Sequence, residues 1–134
     1  MREPLCFPMH DPQVALADIL TVLPERKVDT FWGVEPFVEA DGEEYFEVAS
    51  MGDDPLTPLV GTGVRLAYAD FEKAAAATPQ IIWGTFRGHA GTPDSRLWLI
   101  IAAVDSSWWT IETDDLATRR LVRMRFKNVK KGLA

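Results

Sequence analysis

The chain has 134 residues, of which 47% are hydrophobic and 25% are charged, a balance typical of one globular domain and not of a long disordered region. Its single cysteine, Cys6, excludes an intramolecular disulfide framework and any CxxC-type zinc or redox site. The longest apolar run, residues 97–104, is much shorter than a membrane span, and the N-terminal MREPLCFPMHDP lacks a secretion signal, so we expect a cytoplasmic protein with no membrane partner.

The net charge of −6 conceals a strong polarity along the chain. Residues 1–118 carry all twenty acids and seven bases, a net charge of −13, while residues 119–134 carry seven bases and no acid. Nine acids and no base lie between Val28 and Val64. An asymmetry of this size shapes the electrostatic surface and therefore bears on partners.

The first predicted helix begins at Asp11–Pro12, because a capping residue is followed there by the proline favoured at the first helical position. Pro24 ends it. Four residues at i, i+3, i+4 and i+7 form its buried stripe: Leu16, Ile19, Leu20 and Leu23. The preceding segment, Leu5–Phe7, lies between two prolines and predicts at most an edge strand.

A hairpin is predicted next. Residues favourable in strands occupy Thr30–Val34 and Phe37–Val38, the dipeptide Asp41–Gly42 is a strong turn signal, and the returning strand is Glu44–Ser50. Because side chains alternate along a strand, this hairpin presents acids on at least one exposed side.

The middle of the chain, residues 51–112, predicts four further strands and one helix. After a glycine- and proline-containing loop, Met51–Gly63, the predicted strands are Val64–Tyr68, Gln80–Arg87, Arg96–Val104 and Ser107–Glu112. Asp70 caps an alanine-rich helix, FEKAAAAT, and a loop at Gly88–Ser95 joins an antiparallel pair. The unbroken apolar run Leu97–Val104 predicts a central strand covered on both faces.

A last helix begins near Thr113 or Asp114 and becomes basic towards its end, as the helix dipole favours. Its predicted apolar face is formed by Ala117, Leu121, Met124, Val122 and Phe126. The pattern as a whole predicts a single α+β domain over residues 1–134, with a mostly antiparallel sheet of about six strands and about three helices.

The stretch from Ile81 to Phe126, and above all AVDSSWWTI at residues 103–111 before a charged helix, resembles the second half of a family of small bacterial cytoplasmic proteins. That resemblance covers about a third of the chain and implies no reaction. In size, acidity, tryptophan content and lack of a catalytic motif, the chain is also similar to the immunity proteins that protect bacteria from secreted toxins.

Catalytic candidates are weak. Cys6 and His10 are four residues apart, but Pro8 between them prevents a shared helical face, so a buried, inert cysteine is the simpler interpretation. His89 co-occurs with Asp94, Ser95 and Ser106 without the geometry by which such triads are recognised, and it is expected to be a solvated loop histidine. Gly61–Thr62–Gly63 lacks the rest of a phosphate-binding motif and predicts a turn.

The acidic run has two interpretations. Asp53 and Asp54 near Glu43, Glu44 and Glu47 are candidates for a cation site or for paired catalytic carboxylates. No EF-hand spacing and no apolar pocket for one carboxylate can be identified, and such runs are most often solvated. We expect no metal and no cofactor.

Because Trp108 and Trp109 are consecutive in a strand, they must point to opposite faces.

The basic tail RRLVRMRFKNVKK is a candidate for contact with nucleic acid or acidic lipid. The negative charge of the rest of the chain opposes a nucleic-acid partner, and pairing with the protein's own acidic hairpin is the alternative.

We therefore expect a non-enzymatic binding protein, an immunity-type inhibitor that covers the basic active-site surface of a toxin with an acidic, aromatic-containing face. The predicted partner-binding residues are Trp32, Glu35, Glu39, Asp41, Glu43, Glu44, Glu47, Asp53 and Asp54. One alternative is an enzyme or small-ligand-binding domain with a pocket between sheet and helix and with His89, Asp94 or Asp105 at its rim. Another is a structural or assembly subunit.

Overall fold

The computed structural model describes residues 2–50, 52–91 and 96–132. The α-helices are α1 (Leu16–Val22), α2 (Tyr68–Ala76) and α3 (Leu116–Arg125), and short 3₁₀ helices cover Glu25–Asp29 and Thr57–Leu59. The strands are β1 (Leu5–Pro8), β2 (Thr30–Glu35), β3 (Phe37–Val38), β4 (Glu44–Tyr45), β5 (Glu47–Val48), β6 (Arg65–Ala67), β7 (Ile81–Ala90), β8 (Leu97–Val104), β9 (Trp108–Glu112) and β10 (Lys130–Lys131).

The main sheet is antiparallel, in the order β10-β1-β9-β8-β7-β2-β6. The long strand β7 pairs with β8 on one edge, and with β2 and then β5 on the other. The predicted α+β class is confirmed, with more strands than the six expected. Within the described residues, none of the helices has the length and apolar character needed to cross a membrane.

One face of the sheet is covered by the three helices. Strand alternation places on it the side chains of Phe7, Trp32, Phe86, Ile101 and Ile111, all fully buried or nearly so. Two aromatic stacks join helix to sheet: Trp32 on Phe71 of α2, with ring centroids 4.9 Å apart, and Phe7 on Phe126 after α3, at 4.5 Å. Burial of each such side chain contributes about 2 kcal/mol, so this face is the main core.

The opposite face of the sheet carries a mixture of polar and small side chains, and we call it the open face. Its central residues are Glu35, Thr85, Arg87, Ile100, Ala102, Thr110 and Glu112. The small two-stranded sheet β3–β4 lies over part of it. As predicted, β8 is a central strand, and its open-face side is covered in part by this hairpin.

Helix α1 buries the predicted stripe but begins later than predicted. Leu16, Ile19, Leu20 and Leu23 are all buried. Asp11 is no helix cap, since it has φ +61° in a turn that the Val14 N–H closes by donating to the Met9 carbonyl. The carboxylate near the helix start is instead Asp18, which accepts the Ala15 N–H at 2.8 Å. Local capping signals thus misplaced the start by about one turn.

Helix α2 begins at Tyr68, directly after β6, which is shorter than the predicted strand Val64–Tyr68. The predicted cap, Asp70, therefore lies inside the first turn, where its charge still favours the helix dipole. The alanine-rich run is helical as predicted.

Helix α3 is rotated relative to its predicted apolar face. Its inward residues are Thr118, Arg119 and Val122, whereas Met124 is 76% exposed. Ala117 is also exposed, and only the predicted Val122 and Phe126 are buried. Polar side chains can face inward here because they are satisfied: Arg119 Nη1 donates to the Glu3 carbonyl at 2.9 Å, and the Thr118 hydroxyl donates to the Asp115 carboxylate.

Two strand predictions also change. The returning strand Glu44–Ser50 is divided, since β4 pairs with β3 while β5 pairs with β7. Segment Leu5–Phe7 is not an edge strand, because β10 pairs with its outer side. A two-residue strand such as β10 has no periodicity by which the sequence could reveal it.

Candidate functional site

The tip of the β3–β4 hairpin presents a group of carboxylates on an ordered turn. Four acids surround the turn and are called the hairpin acids: Glu39, Asp41, Glu43 and Glu44. Asp41 Oδ1 accepts the Glu43 N–H at 2.9 Å, and backbone bonds link Gly42 to Glu39 and Glu39 to Glu43, each at 2.9 Å. Gly42 has φ +90°, which suits glycine. The turn therefore holds the acids in a defined arrangement.

Three aromatic rings support the hairpin on the sheet. Trp83 of β7 lies 5.3 Å from Phe37 and 4.9 Å from Tyr45, between ring centroids. Phe37 and Trp83 are half-buried, and Tyr45 is 37% exposed. The hairpin thus joins an acidic tip to a partly exposed aromatic base.

The hairpin acids create a negative potential that changes the pKa of a neighbouring side chain. Partial burial raises the pKa of the Tyr45 phenol, and three of the hairpin carboxylates raise it further by repelling the phenolate. Among the described residues, no cationic group lies within ion-pair distance of Glu39, Glu43 or Glu44. The tip is therefore an uncompensated negative surface.

The other predicted partner-binding acids are spread more widely. Glu47 on β5 and Asp53 in the following loop are exposed. Glu35 lies on the open face, where its carboxylate pairs with Arg87 Nε at 2.9 Å. Its charge is thus compensated within the protein.

Trp32 was predicted to contact a partner, but it has no exposed surface. It stacks on Phe71, and its indole N–H donates to Thr30 Oγ1 at 2.9 Å. Trp83 occupies the place beside the acids instead. Alternation in QIIWGTFR, which puts Trp83 on the side of Thr85 and Arg87, was the signal that could have identified it.

Asp54 also leaves the partner-binding set because it is buried and holds its own loop together. Its carboxylate accepts the Ser50 and Thr57 hydroxyls at 2.6 Å each, and the N–H groups of Leu56 and Thr57 at 3.0 and 2.9 Å. Burial raises the pKa of Asp54, but these hydrogen bonds outweigh it, and the pKa lies below its usual value.

The basic tail does not neutralise the hairpin. Phe126, at the end of α3, packs against Phe7 on the helix-covered face, whereas the hairpin contacts Trp83 on the other face. Lys130 of β10 lies over Trp108 on the open face, but no base of the tail is within ion-pair distance of a hairpin acid among the described residues, so the predicted pairing of tail and hairpin is not formed.

The nucleophile candidates have structural roles. Cys6 is buried, and burial raises the pKa of its thiol despite the nearby Lys130. The His10 ring bonds to Gln13 Oε1 and to the Ser106 carbonyl, at 2.6 Å each, rather than to Cys6. Nothing in this geometry prepares the thiol for catalysis.

His89 is a buried residue of strand β7, not the solvated loop histidine expected. The predicted companions Asp94 and Ser95 lie outside the described residues, and Ser106 hydrogen-bonds to Gln80 Nε2 at 2.8 Å. Gly61–Thr62–Gly63 is a turn, as predicted, and its Gly61 N–H donates to the Val34 carbonyl at 3.0 Å.

The remaining tryptophans are accounted for locally. Trp109 is buried and donates to the Val14 carbonyl at 2.8 Å, while Trp108 faces the other way beneath Lys130 Nζ, 4.9 Å from its ring. The predicted opposition of these two side chains is confirmed. Trp98 donates to Asp115 at 3.1 Å.

The remaining structural features are potential metal-ligand groups and pockets. Across the described ranges, no group of three or more His, Cys, Asp or Glu side chains is placed to hold a metal ion. A groove of about 400 Å³ lies on the open face beside the hairpin, and a smaller pocket of about 180 Å³ lies between sheet and helices, lined by Phe7 of β1, Asp18 of α1 and Arg125 of α3. Asp105, predicted at a pocket rim, is an exposed turn residue with φ +51°.

Comparison with known proteins assigns no relative. No family model matches the chain, and no curated protein and no solved structure matches it either. The likeness to immunity proteins and to the small cytoplasmic family therefore stays a prediction, and the function has to be argued from the site.

Proposed function

We propose that this protein is a non-enzymatic inhibitor of the immunity type, which neutralises a bacterial toxin by placing the acidic hairpin on the toxin's basic active-site surface. The observation that carries the proposal is the uncompensated group of hairpin acids on an ordered turn. Charge of this kind raises association rates with an oppositely charged partner by about 10- to 1,000-fold at low salt.

The aromatic residues at the base of the hairpin supply binding affinity, to which exposed acids contribute little. Charged groups at an exposed tip contribute mainly to association rate and selectivity, while affinity comes from rings that become fully buried on binding. Tyr45 and Trp83 are partly exposed next to the acids and already stacked, so little side-chain freedom is lost when a partner covers them. The predicted anchor Trp32 is replaced by these two residues.

The position of helix α3 supports the same proposal. Because α3 lies on the other side of the sheet, its arginines do not compete for the hairpin acids. A partner approaching the hairpin therefore meets a negative surface, although the whole chain carries a net charge of only −6.

The test compares two double substitutions that change the net charge equally. Glu39→Lys with Glu43→Lys alters the hairpin, and Glu25→Lys with Asp70→Lys alters exposed acids on other elements. The immobilised wild-type protein first captures its partner from the organism that encodes it, and the partner is identified by mass spectrometry. Stopped-flow association with the purified partner is then measured at low and high salt, together with inhibition of the partner's activity.

We expect the hairpin variant to associate at least about tenfold more slowly at low salt and to lose most of the salt dependence. The control variant should retain the wild-type rate to within about twofold. Equal rates for all three proteins, or a captured partner with an acidic binding surface, would refute the proposal.

A further inference from the structure

The groove on the open face is a regular array set by strand register. From β2 to β9, one row of paired residues reads Glu35, Thr85, Ala102, Thr110. The adjacent row reads Gly33, Arg87, Ile100, Glu112. Phe37 and Val38 of the hairpin form the side wall of this open groove, whose volume is about 400 Å³.

Two threonine hydroxyls on the groove floor have no hydrogen-bond partner among the residues that the structure describes. Thr85 is 8% exposed and Thr110 is 7% exposed, and both line the groove. Within the part of the chain that the structure describes, neither hydroxyl makes a hydrogen bond to another residue. Leaving a buried hydroxyl unpaired is unfavourable, so this pair indicates a site completed by something from outside the fold.

The charges of the groove favour a cation. Its lining contains three carboxylates, Glu35, Glu44 and Glu112, and one guanidinium, Arg87. Arg87 is already paired with Glu35, whereas half-buried Glu112 has no cationic partner among the described residues. Glu112 lies two residues from Thr110 on β9, and side chains at that spacing share one face of a strand.

We infer that this groove binds a small organic cation, with its ammonium or guanidinium group between the Glu112 carboxylate and the Thr110 hydroxyl. The apolar body of the ligand lies over Ala102 and Ile100, beside the hairpin wall. Thr85 is two strand spacings, or about 9.5 Å, from Thr110, and it receives a polar atom at the far end of a longer ligand. This site does not depend on the inhibitory role of the hairpin, because Thr110 and Glu112 are not hairpin residues.

The test uses n-butylamine as the probe, with 1-butanol and butyrate as neutral and anionic analogues of similar shape. Each is titrated into the ¹⁵N-labelled protein near neutral pH and low salt, and amide shifts are followed by NMR. The variants are Glu112→Gln and Thr110→Val, and the control is Glu25→Gln, an exposed acid outside the groove. Superimposable spectra of the free variants establish that each is folded.

With n-butylamine we expect saturable shifts centred on Ala102, Thr110 and Glu112, with a Kd in the millimolar range suited to so small a ligand. Glu112→Gln should weaken binding at least about fivefold, and Glu25→Gln should not change it. The inference is overturned if no saturable shift appears up to about 50 mM, if all three probes bind equally, or if Glu112→Gln binds like wild type.

A capped tripeptide with a central lysine distinguishes the two sources of such a cation. Tighter binding of the tripeptide than of n-butylamine would identify the ligand as a lysine side chain of another protein. Binding of n-butylamine without the tripeptide would identify it as a free amine. Either result retains the groove as a cation site.

Discussion

Replacement of Asp54 by alanine would separate a structural acid from the acids that we propose to contact a partner. In the sequence Asp54 belongs to the same acidic run as the hairpin, but its carboxylate accepts four hydrogen bonds from Ser50, Leu56 and Thr57. Asp54→Ala removes all four acceptor contacts from the loop between β5 and β6. We therefore expect loss of stability with little loss of partner association.

The magnitude follows from which donors water can reach. Ser50 and Thr57 are half-buried, so water replaces part of what their hydroxyls lose. The Leu56 N–H is buried, and leaving it unpaired costs about 1–3 kcal/mol. With about 1 kcal/mol for loss of the hydrogen bond from the Thr57 N–H, Asp54→Ala should lower the free energy of unfolding by about 3 kcal/mol. For a chain of 134 residues this corresponds to a fall in Tm of about 10 °C.

Urea and thermal denaturation followed by circular dichroism measure the effect. The matched control is Asp53→Ala, because the adjacent acid is exposed, and we expect it to change stability by less than about 0.5 kcal/mol. Asp54→Asn should lie between wild type and Asp54→Ala, since it keeps one acceptor oxygen but turns an amide N–H₂ towards donors. If Asp54→Ala is no less stable than Asp53→Ala, the assignment of Asp54 to the loop rather than to the binding surface is wrong.

Two further predictions concern the core and acid pH. Gly88→Ala should lower the free energy of unfolding by about 1–3 kcal/mol in urea denaturation, because the added Cβ would lie 2.7 Å from the buried Trp32 ring. In the control Gly33→Ala the added Cβ would lie 3.8 Å from its nearest neighbour, so the loss should be clearly smaller. Equal losses in the two variants would contradict the packing of Trp32 against Gly88. Hydrogen bonds hold the pKa of Asp54 and of Asp115 below the usual value despite burial, so their stabilisation is present at neutral pH and is lost as the pH falls below about 4 through the lowered folded-state pKa. The urea midpoint of wild type should therefore fall more steeply in acid than that of Asp54→Asn/Asp115→Asn, and parallel curves would exclude this origin.

The hairpin illustrates how far the sequence alone could locate the candidate site. Asp41–Gly42 between two β-favouring runs correctly predicted the turn, because the positive φ that Gly42 adopts there is a local property. The base-free run of acids likewise identified the negative surface. The sequence did not show which acids face solvent. Asp54 is buried because its carboxylate accepts hydrogen bonds from Leu56 and Thr57, and these donors surround it only in the folded loop.

Helix α3 shows the same limit in the core. Its hydrophobic residues suggested that Met124 would be buried, and the structure turns Thr118 and Arg119 inward instead. Periodicity predicts an apolar stripe only if polar residues have no partner inside. In this protein Arg119 does have a partner inside, because its guanidinium donates to the Glu3 carbonyl, more than a hundred residues away in sequence. The apolar stripe that the sequence predicts therefore does not form the buried face of α3.

The sequence by itself determined the fold class, the alternation of the long strands and the stripe of α1, because each is built from local patterns along the chain. It also determined the polarity of charge, which is a direct count of residues. Only the tertiary structure decided that Trp83 and not Trp32 lies beside the acids, and that helix α3 with its arginines lies across the sheet from them. It also decided that Thr85 and Thr110 face one groove. These relations depend on strand order and register, which pair residues far apart in the chain and leave no local pattern.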